Sequence, residues 1–244
     1  MLFLEQEKRD FVTNRRLGSS LAMIAGAVNV AGFMDFGYYC ANMTGNASAM
    51  AFNLQNGKLL EGARAMELAG SFVLGAIVCT FLVNRGRRRH WRAAYAFSIL
   101  LEAIMLALLG LANAFMLFGP HSFTPALVLC FLMGLQNATV TRISGSVVRT
   151  THITGMLTDL GMELADWLDA WRHRIGSEHR GIICQRLWLH LQIICCFVGG
   201  GVIGAFVYHA WPACFLFVTA ALLASCALPG IITNSTALFA LKRK

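Results

Sequence analysis

Apolar residues come in six long runs, at about 17–41, 66–84, 93–116, 123–144, 187–209 and 213–228, separated by short polar stretches. A helix needs about 20 residues to cross the hydrocarbon core of a bilayer, and most of these runs meet that length. The pattern predicts an all-α, polytopic membrane protein of about six transmembrane helices in one transmembrane domain, 1–244.

Two runs do not end as spans usually do. After the first, residues 42–54 stay small and weakly apolar, with Thr44 and Gly45 interrupting the helix and Thr44 or Asn46 able to cap a new one. After the fourth, the chain passes Arg142 and Arg149 to a second such pair, Thr154 and Gly155. Both read as broken or re-entrant elements, which are tolerated at membrane depth only where protein or a water-filled cavity satisfies the freed backbone groups. An interfacial turn leading out of the membrane is the competing reading. Beyond the second break, Trp167, Trp171 and Ile175 recur every four residues on one face, with Glu163, Asp166, Asp169, Arg172 and Arg174 on others. That spacing predicts an amphipathic helix over 156–175 with its tryptophans at headgroup level. Residues 58–67 and 177–186 read as polar connections.

The two breaks belong to a repeat. GAVNVAGFMDFGYYCANMTGN from Gly26 and GLQNATVTRISGSVVRTTHITG from Gly134 share Gly-x-x-Asn, an apolar run, then Thr-Gly. GSFVLGA from Gly70 returns as GGGVIGA from Gly199, and 97–110 matches 217–230, which pairs Gly75 with Gly204 and Glu102 with Leu222. The chain therefore reads as a three-span unit used twice, at about 17–118 and 123–230. An odd number of spans per unit forces opposite orientations, the inverted-repeat plan of many secondary transporters.

Composition agrees. Hydrophobic residues make up 57% of the chain and charged residues 13%, against about 25% charged in soluble domains. The net charge of +8 comes largely from arginines at the ends of apolar runs, where they set orientation, and the basic and aromatic interleaving of a nucleic-acid surface is missing. Arg85, Arg87, Arg88, Arg89 and Arg92 form a short basic stretch expected in the cytoplasm, as are Lys242, Arg243 and Lys244, whereas 119–122 lacks lysine and arginine and is expected outside. Both termini are then cytoplasmic. Residues 1–16 carry charges of both signs before the first apolar run, the wrong order for a secretory signal.

Few residues offer chemistry. Asn29 and Asn137 fall near the middle of their segments, where a buried amide is costly unless bonded. They either bond to each other across the pseudo-symmetry axis or contact a solute. Glu102 lies nine residues into the third run, roughly 14 Å deep at 1.5 Å per residue, where an isolated acid is functional by default. Asp35 and His190 fall nearer the interfaces, and Asp159 follows Thr154 by five residues. Candidate solute contacts are Asn29, Thr44, Gly45, Asn46, Gln136, Asn137, Thr154 and Gly155, with Glu102 and Asp159 as candidate coupling residues. No nucleophile and base pair, metal-ligand cluster or phosphate loop stands out, so neither an enzyme nor a cofactor is expected. The expected partners are the lipid bilayer and a small solute or proton, and a homo-oligomer stays open.

NMTGN at 42–46, GLQNA at 134–138 and TTHITGMLTDLG at 150–161 resemble the paired signatures of the YoaK-like family of bacterial inner-membrane proteins. The resemblance covers nearly the whole chain and implies about six spans and an inner-membrane location; it brings no established activity. Relatives usually carry Asp where this chain has Asn29, which removes an acidic coupling site from that position. Two functions follow: a small-solute transporter or permease, or a non-transporting membrane scaffold or sensor partner. A polar, water-reachable cavity at the level of Asn29 and Asn137 favours the first, a dry and fully bonded centre the second.

The orientation is open to direct test. Reporters active only in the periplasm should be active when fused after Pro120 and inactive after Arg89; the opposite pattern at either point overturns the topology.

Overall fold

The computed structural model describes residues 11–89, 91, 93–119, 122–145, 149–173 and 177–241. The expectations for residues 1–10, Arg92, Pro120, His121, Arg174, Ile175 and 242–244 lie outside these described residues. Eight helices make up the described chain: α1 (Phe11–Phe36), α2 (Met43–Gln55), α3 (Leu59–Arg88), α4 (Ala94–Ala114), α5 (Thr124–Ile143), α6 (Ile153–Arg172), α7 (Ser177–Ala210) and α8 (Pro212–Leu241). Six of them, all but α2 and α6, are long and apolar enough to cross a membrane. The chain is an all-helical integral membrane protein, with two further helices that follow the Thr-Gly breaks.

Two expected connections are helical. Glu61, Arg64 and Glu67 lie in the early turns of α3, where Arg64 pairs with Glu61 at 3.2 Å, and residues 177–186 open α7. The reason is tertiary. α2 packs back on α3 and α6 on α7, so each long helix starts early enough to support its short neighbour. An acid in the first turn, Glu61 or Glu178, also complements the partial positive charge of the helix start.

The spans pair as α1 with α7, α3 with α5, and α4 with α8. In lipid the hydrophobic effect gives two helices no reason to associate, so close packing through small residues has to do it. Glycines provide that here. A Cβ on Gly26 would run into the carbonyl oxygen of Phe197, and one on Gly200 into that of Met23. The other pair repeats the arrangement: Gly134 faces the carbonyl of Phe72, and Gly75 that of Phe131. Each glycine thus aims a Cα hydrogen at a backbone oxygen of the opposite helix, a weak bond that recurs where helices touch.

This arrangement sets the register between α3 and α7. Phe72 and Gly75 play the parts of Phe197 and Gly200, and Gly204 packs instead against Ala27. Pairing Gly75 with Gly204 by sequence is therefore wrong by one helical turn, because small residues spaced by a turn look alike whichever turn makes the contact. In α4 and α8 the shift is one residue. Positions 94, 98, 99, 102, 106 and 109 are buried, and so are 215, 219, 220, 223, 227 and 230. The burial pattern sets Glu102 against Leu223, which is fully buried, and not against Leu222, which faces outward. Between α3, α4 and α5, the Ser98 and Thr139 hydroxyls meet at 2.7 Å, and Cys79 Sγ lies 3.2 Å from Thr139 Oγ1.

The glycine contacts predict unequal effects from neighbouring substitutions. Gly200→Ala should cost about 1–3 kcal/mol by overpacking against Met23, whereas Gly199→Ala, at a site with open space around it, should cost nothing. Thermal unfolding in detergent compares the two, and equal effects would mean that α1 and α7 do not meet in this register.

Candidate functional site

α1 stops at Phe36, and Gly37 adopts φ +73°, a conformation glycine takes without steric cost. The chain then turns back alongside its own helix. Ala41 N donates to Asn29 Oδ1 at 2.8 Å, and Asn29 precedes the end of α1 by seven residues, a return of about 10 Å at 1.5 Å per residue. The second unit does the same. α5 stops at Ile143, Gly145 adopts φ +63°, and the returning chain meets Asn137. Thr150 Oγ1 donates to Asn137 Oδ1 at 3.2 Å, while Asn137 Nδ2 donates to Thr151 Oγ1 and, at 3.0 Å, to the Met133 carbonyl. At both breaks the chain thus folds back along the helix that precedes it.

The two asparagines do not bond to each other. Each holds its own returning segment, because that segment brings polar groups within reach that have lost their helical partners. Tyr38 fixes the first segment from its other side, donating to Glu61 Oε2 at 3.1 Å. Burial, and then the Glu61 carboxylate, push the Tyr38 phenol above its ordinary pKa, so it keeps the proton it donates.

Each interruption falls just ahead of its Thr-Gly pair, whose residues form the first turn of the next helix. The cap of α2 is Asn42, not Thr44 or Asn46: its Oδ1 accepts from Gly45 N at 3.0 Å. His152 occupies the equivalent place before α6 without a side-chain cap bond. A Cβ on Gly45 would lie 2.6 Å from the Asn42 amide, and one on Gly155 would strike the His152 ring. Glycine fits both places because a side chain from three residues earlier, the capping amide of Asn42 or the His152 ring, folds over the first turn.

The returning segments border a single cavity of about 620 Å³, lined by Asn29, Ala41, Asn42 and Thr44 from the first unit and Asn137, Thr141, Arg149, Thr151, His152 and Thr154 from the second. Phe72 and Phe197, whose carbonyls meet the packing glycines, complete two of its walls. Of the residues singled out by sequence, Asn29, Thr44, Asn137 and Thr154 reach this cavity. Gly45 and Gly155 lie beneath the caps, and Asn46 is buried with its amide 3.9 Å from Met43 Sδ. Gln136 ties α5 to α1 through a 3.0 Å bond from Nε2 to the Leu21 carbonyl. Asp159 is half-buried on α6 and outside the lining.

Glu102 is fully buried, away from lipid, and neither carboxyl oxygen has a partner among the described residues. It stands apart from the cavity lining, within electrostatic reach of Cys79 on α3 and Cys226 on α8. His190 is no simple interfacial residue: its Nδ1 lies 2.9 Å from Glu163 Oε2 and joins α7 to α6. Asp35 borders a smaller cavity of about 260 Å³ with Asn113 and Tyr208. Sequence reasoning missed Arg149, Thr141, Thr151 and His152 as lining residues. The Thr-Thr-His run before the second Thr-Gly pair was the available signal.

The loop anchors predict a specific loss. Asn29→Leu should free the Ala41 amide and destabilise the protein by about 1–3 kcal/mol, the usual cost of an orphaned buried group. Hydrogen exchange at Ala41 should then speed up, and Asn29→Asp, which keeps an acceptor, should restore slow exchange; unchanged exchange in Asn29→Leu would show that the loop does not depend on this bond.

A curated protein similar to this chain is the UPF0700 transmembrane protein YoaK of Bacillus subtilis (strain 168), 25% identical over 147 residues. The match spans 58% of this chain and 63% of that protein, less than two thirds of its length. No solved structure matches. Residues 17–228 match the family described as protein of unknown function DUF1275, a match that covers both returning loops and all but the outer ends of the first and last spans. The chain belongs to the DUF1275 family of membrane proteins.

Proposed function

We propose that the protein passes a small polar solute across a bacterial inner membrane, using the cavity between the two returning loops. In this reading α1–α4 and α5–α8 are inverted repeats, and both termini are cytoplasmic. One observation carries the proposal: segments more than a hundred residues apart in sequence, each returning along its own helix, border one cavity and set asparagine, threonine, histidine and arginine residues among its apolar walls. A membrane protein that served only as a packing scaffold would have no need to interrupt two spans and leave polar groups around an open space, since every interrupted helix loses backbone bonds that must be recovered elsewhere. Solute sites of this kind, built from discontinuous helices between repeats, suit alternating access by movement of one repeat against the other.

Glu102 takes the coupling role in this proposal. Its distance from the lining means that it would act through the packing of α4 against α8, by changing the charge enclosed there, and not by touching the solute. Glu102→Gln should leave the protein folded and remove any dependence of uptake on a proton gradient.

The transport reading is tested in proteoliposomes. In a cysteine-free protein carrying Thr141→Cys, an uncharged water-soluble thiol reagent should react at the cavity, and the reaction should block permeation of small polar solutes followed by light scattering. A correctly inserted protein whose introduced thiol is unreactive, or whose permeation is unchanged by complete reaction, would favour the scaffold.

A further inference from the structure

The polar groups around the cavity include a donor that the described protein leaves unused. Three asparagines line it, and each side-chain oxygen already accepts one bond from the protein: Asn29 Oδ1 from Ala41 N, Asn42 Oδ1 from Gly45 N, and Asn137 Oδ1 from Thr150. Their nitrogens are only partly committed. Asn137 Nδ2 donates twice within the protein, but no described residue accepts from Asn29 Nδ2, on a side chain whose residue is only 7% exposed.

Charge is also one-sided. Arg149 is the lining residue with a permanent charge, no carboxylate lines the cavity, and Arg149 takes part in none of the ion pairs among the described residues. A cation entering this space would give up water and meet the charge of Arg149 with no carboxylate in the lining to offset it. An anion would find a guanidinium and free N–H groups, and charge-assisted bonds to such donors are about twice as strong as neutral ones. The first turns of α2 and α6, represented in the wall by Thr44 and Thr154, add partial positive charge of the same sign. They support the argument without carrying it.

We propose that the cavity is a binding site for a small soluble monoanion of carboxylate or oxyanion type, with the Arg149 guanidinium and Asn29 Nδ2 as its principal donors. The inference rests on the transport reading for the destination of the ligand but not for its binding. A lipid phosphate shares this chemistry, and the experiment separates the two.

The test uses full-length, cysteine-free protein with Thr141→Cys in detergent, and follows the rate at which an uncharged thiol reagent modifies it. Sodium acetate and sodium nitrate are the probes, with glycerol and phosphatidylglycerol micelles as comparisons. At least one of the two anions should slow the reaction several-fold and saturably. Arg149→Gln should lose that protection, and Arg149→Lys, which keeps a positive charge and guards against a folding artefact, should retain part of it. The proposal is overturned if neither anion protects, if protection survives in Arg149→Gln, if glycerol protects equally, or if only the anionic lipid protects. Saturable protection without permeation in liposomes would instead remove the transport reading and leave the anion site standing, whereas permeation of neutral solutes without anion protection would do the reverse.

Discussion

A backbone that leaves its helix inside a membrane must find partners for the N–H and C=O groups it frees, because the hydrocarbon supplies none. Much of this structure answers that demand. Asn29 and Asn137 each sit far enough back from the end of their helix to meet the chain as it returns, and each offers both an acceptor and a donor on a short side chain. The helix starts take the next step. The capping amide of Asn42 and the ring of His152 fold over the first turns of α2 and α6, and that is why glycine fits three residues later at both places. The same groups border the cavity: each asparagine oxygen holds a loop or a helix start, and Asn29 Nδ2 has no acceptor among the described residues.

The glycines give the loops a rigid frame. Gly26, Gly75, Gly134 and Gly200 let four backbones come together in two crossed pairs, each glycine against a carbonyl of its neighbour. The carbonyls they meet belong to Met23, Phe72, Phe131 and Phe197, and Phe72 and Phe197 also wall the cavity. Helix packing and cavity shape are thus coupled through the same residues. A shift at a glycine crossing would move a wall of the site, the kind of linkage that rocking of one half against the other requires.

Other polar groups act as fasteners. Gln136 ties α5 to α1, the Ser98, Thr139 and Cys79 cluster joins α3, α4 and α5, and His190 with Glu163 holds α6 on α7. Tyr38 and Glu61 do the corresponding work between the first returning segment and α3. Glu102 is unlike all of these, since it is enclosed without a partner among the described residues.

The number and order of membrane spans and the two interruptions were legible in the sequence, because each depends on local properties: run length, polarity, and the residues that start and stop helices. Asn29 and Asn137 also stood out, since an amide in the middle of an apolar run is locally anomalous. What they bond to was decided only when the chain folded back, as Ala41 and Thr150 reach them through a change of direction that no spacing encodes. Arg149 read as one more charge beyond a span until the second returning segment carried it to the cavity. Register went the same way. Gly75 and Glu102 have several plausible counterparts a residue or a turn apart, and only the meeting of Gly75 with Phe131 and Gly200 with Met23, together with the burial of Leu223, picks one. A sequence determines which segments prefer the bilayer because that preference is summed residue by residue; which surfaces meet depends on shape complementarity between distant segments, and that exists only in the folded chain.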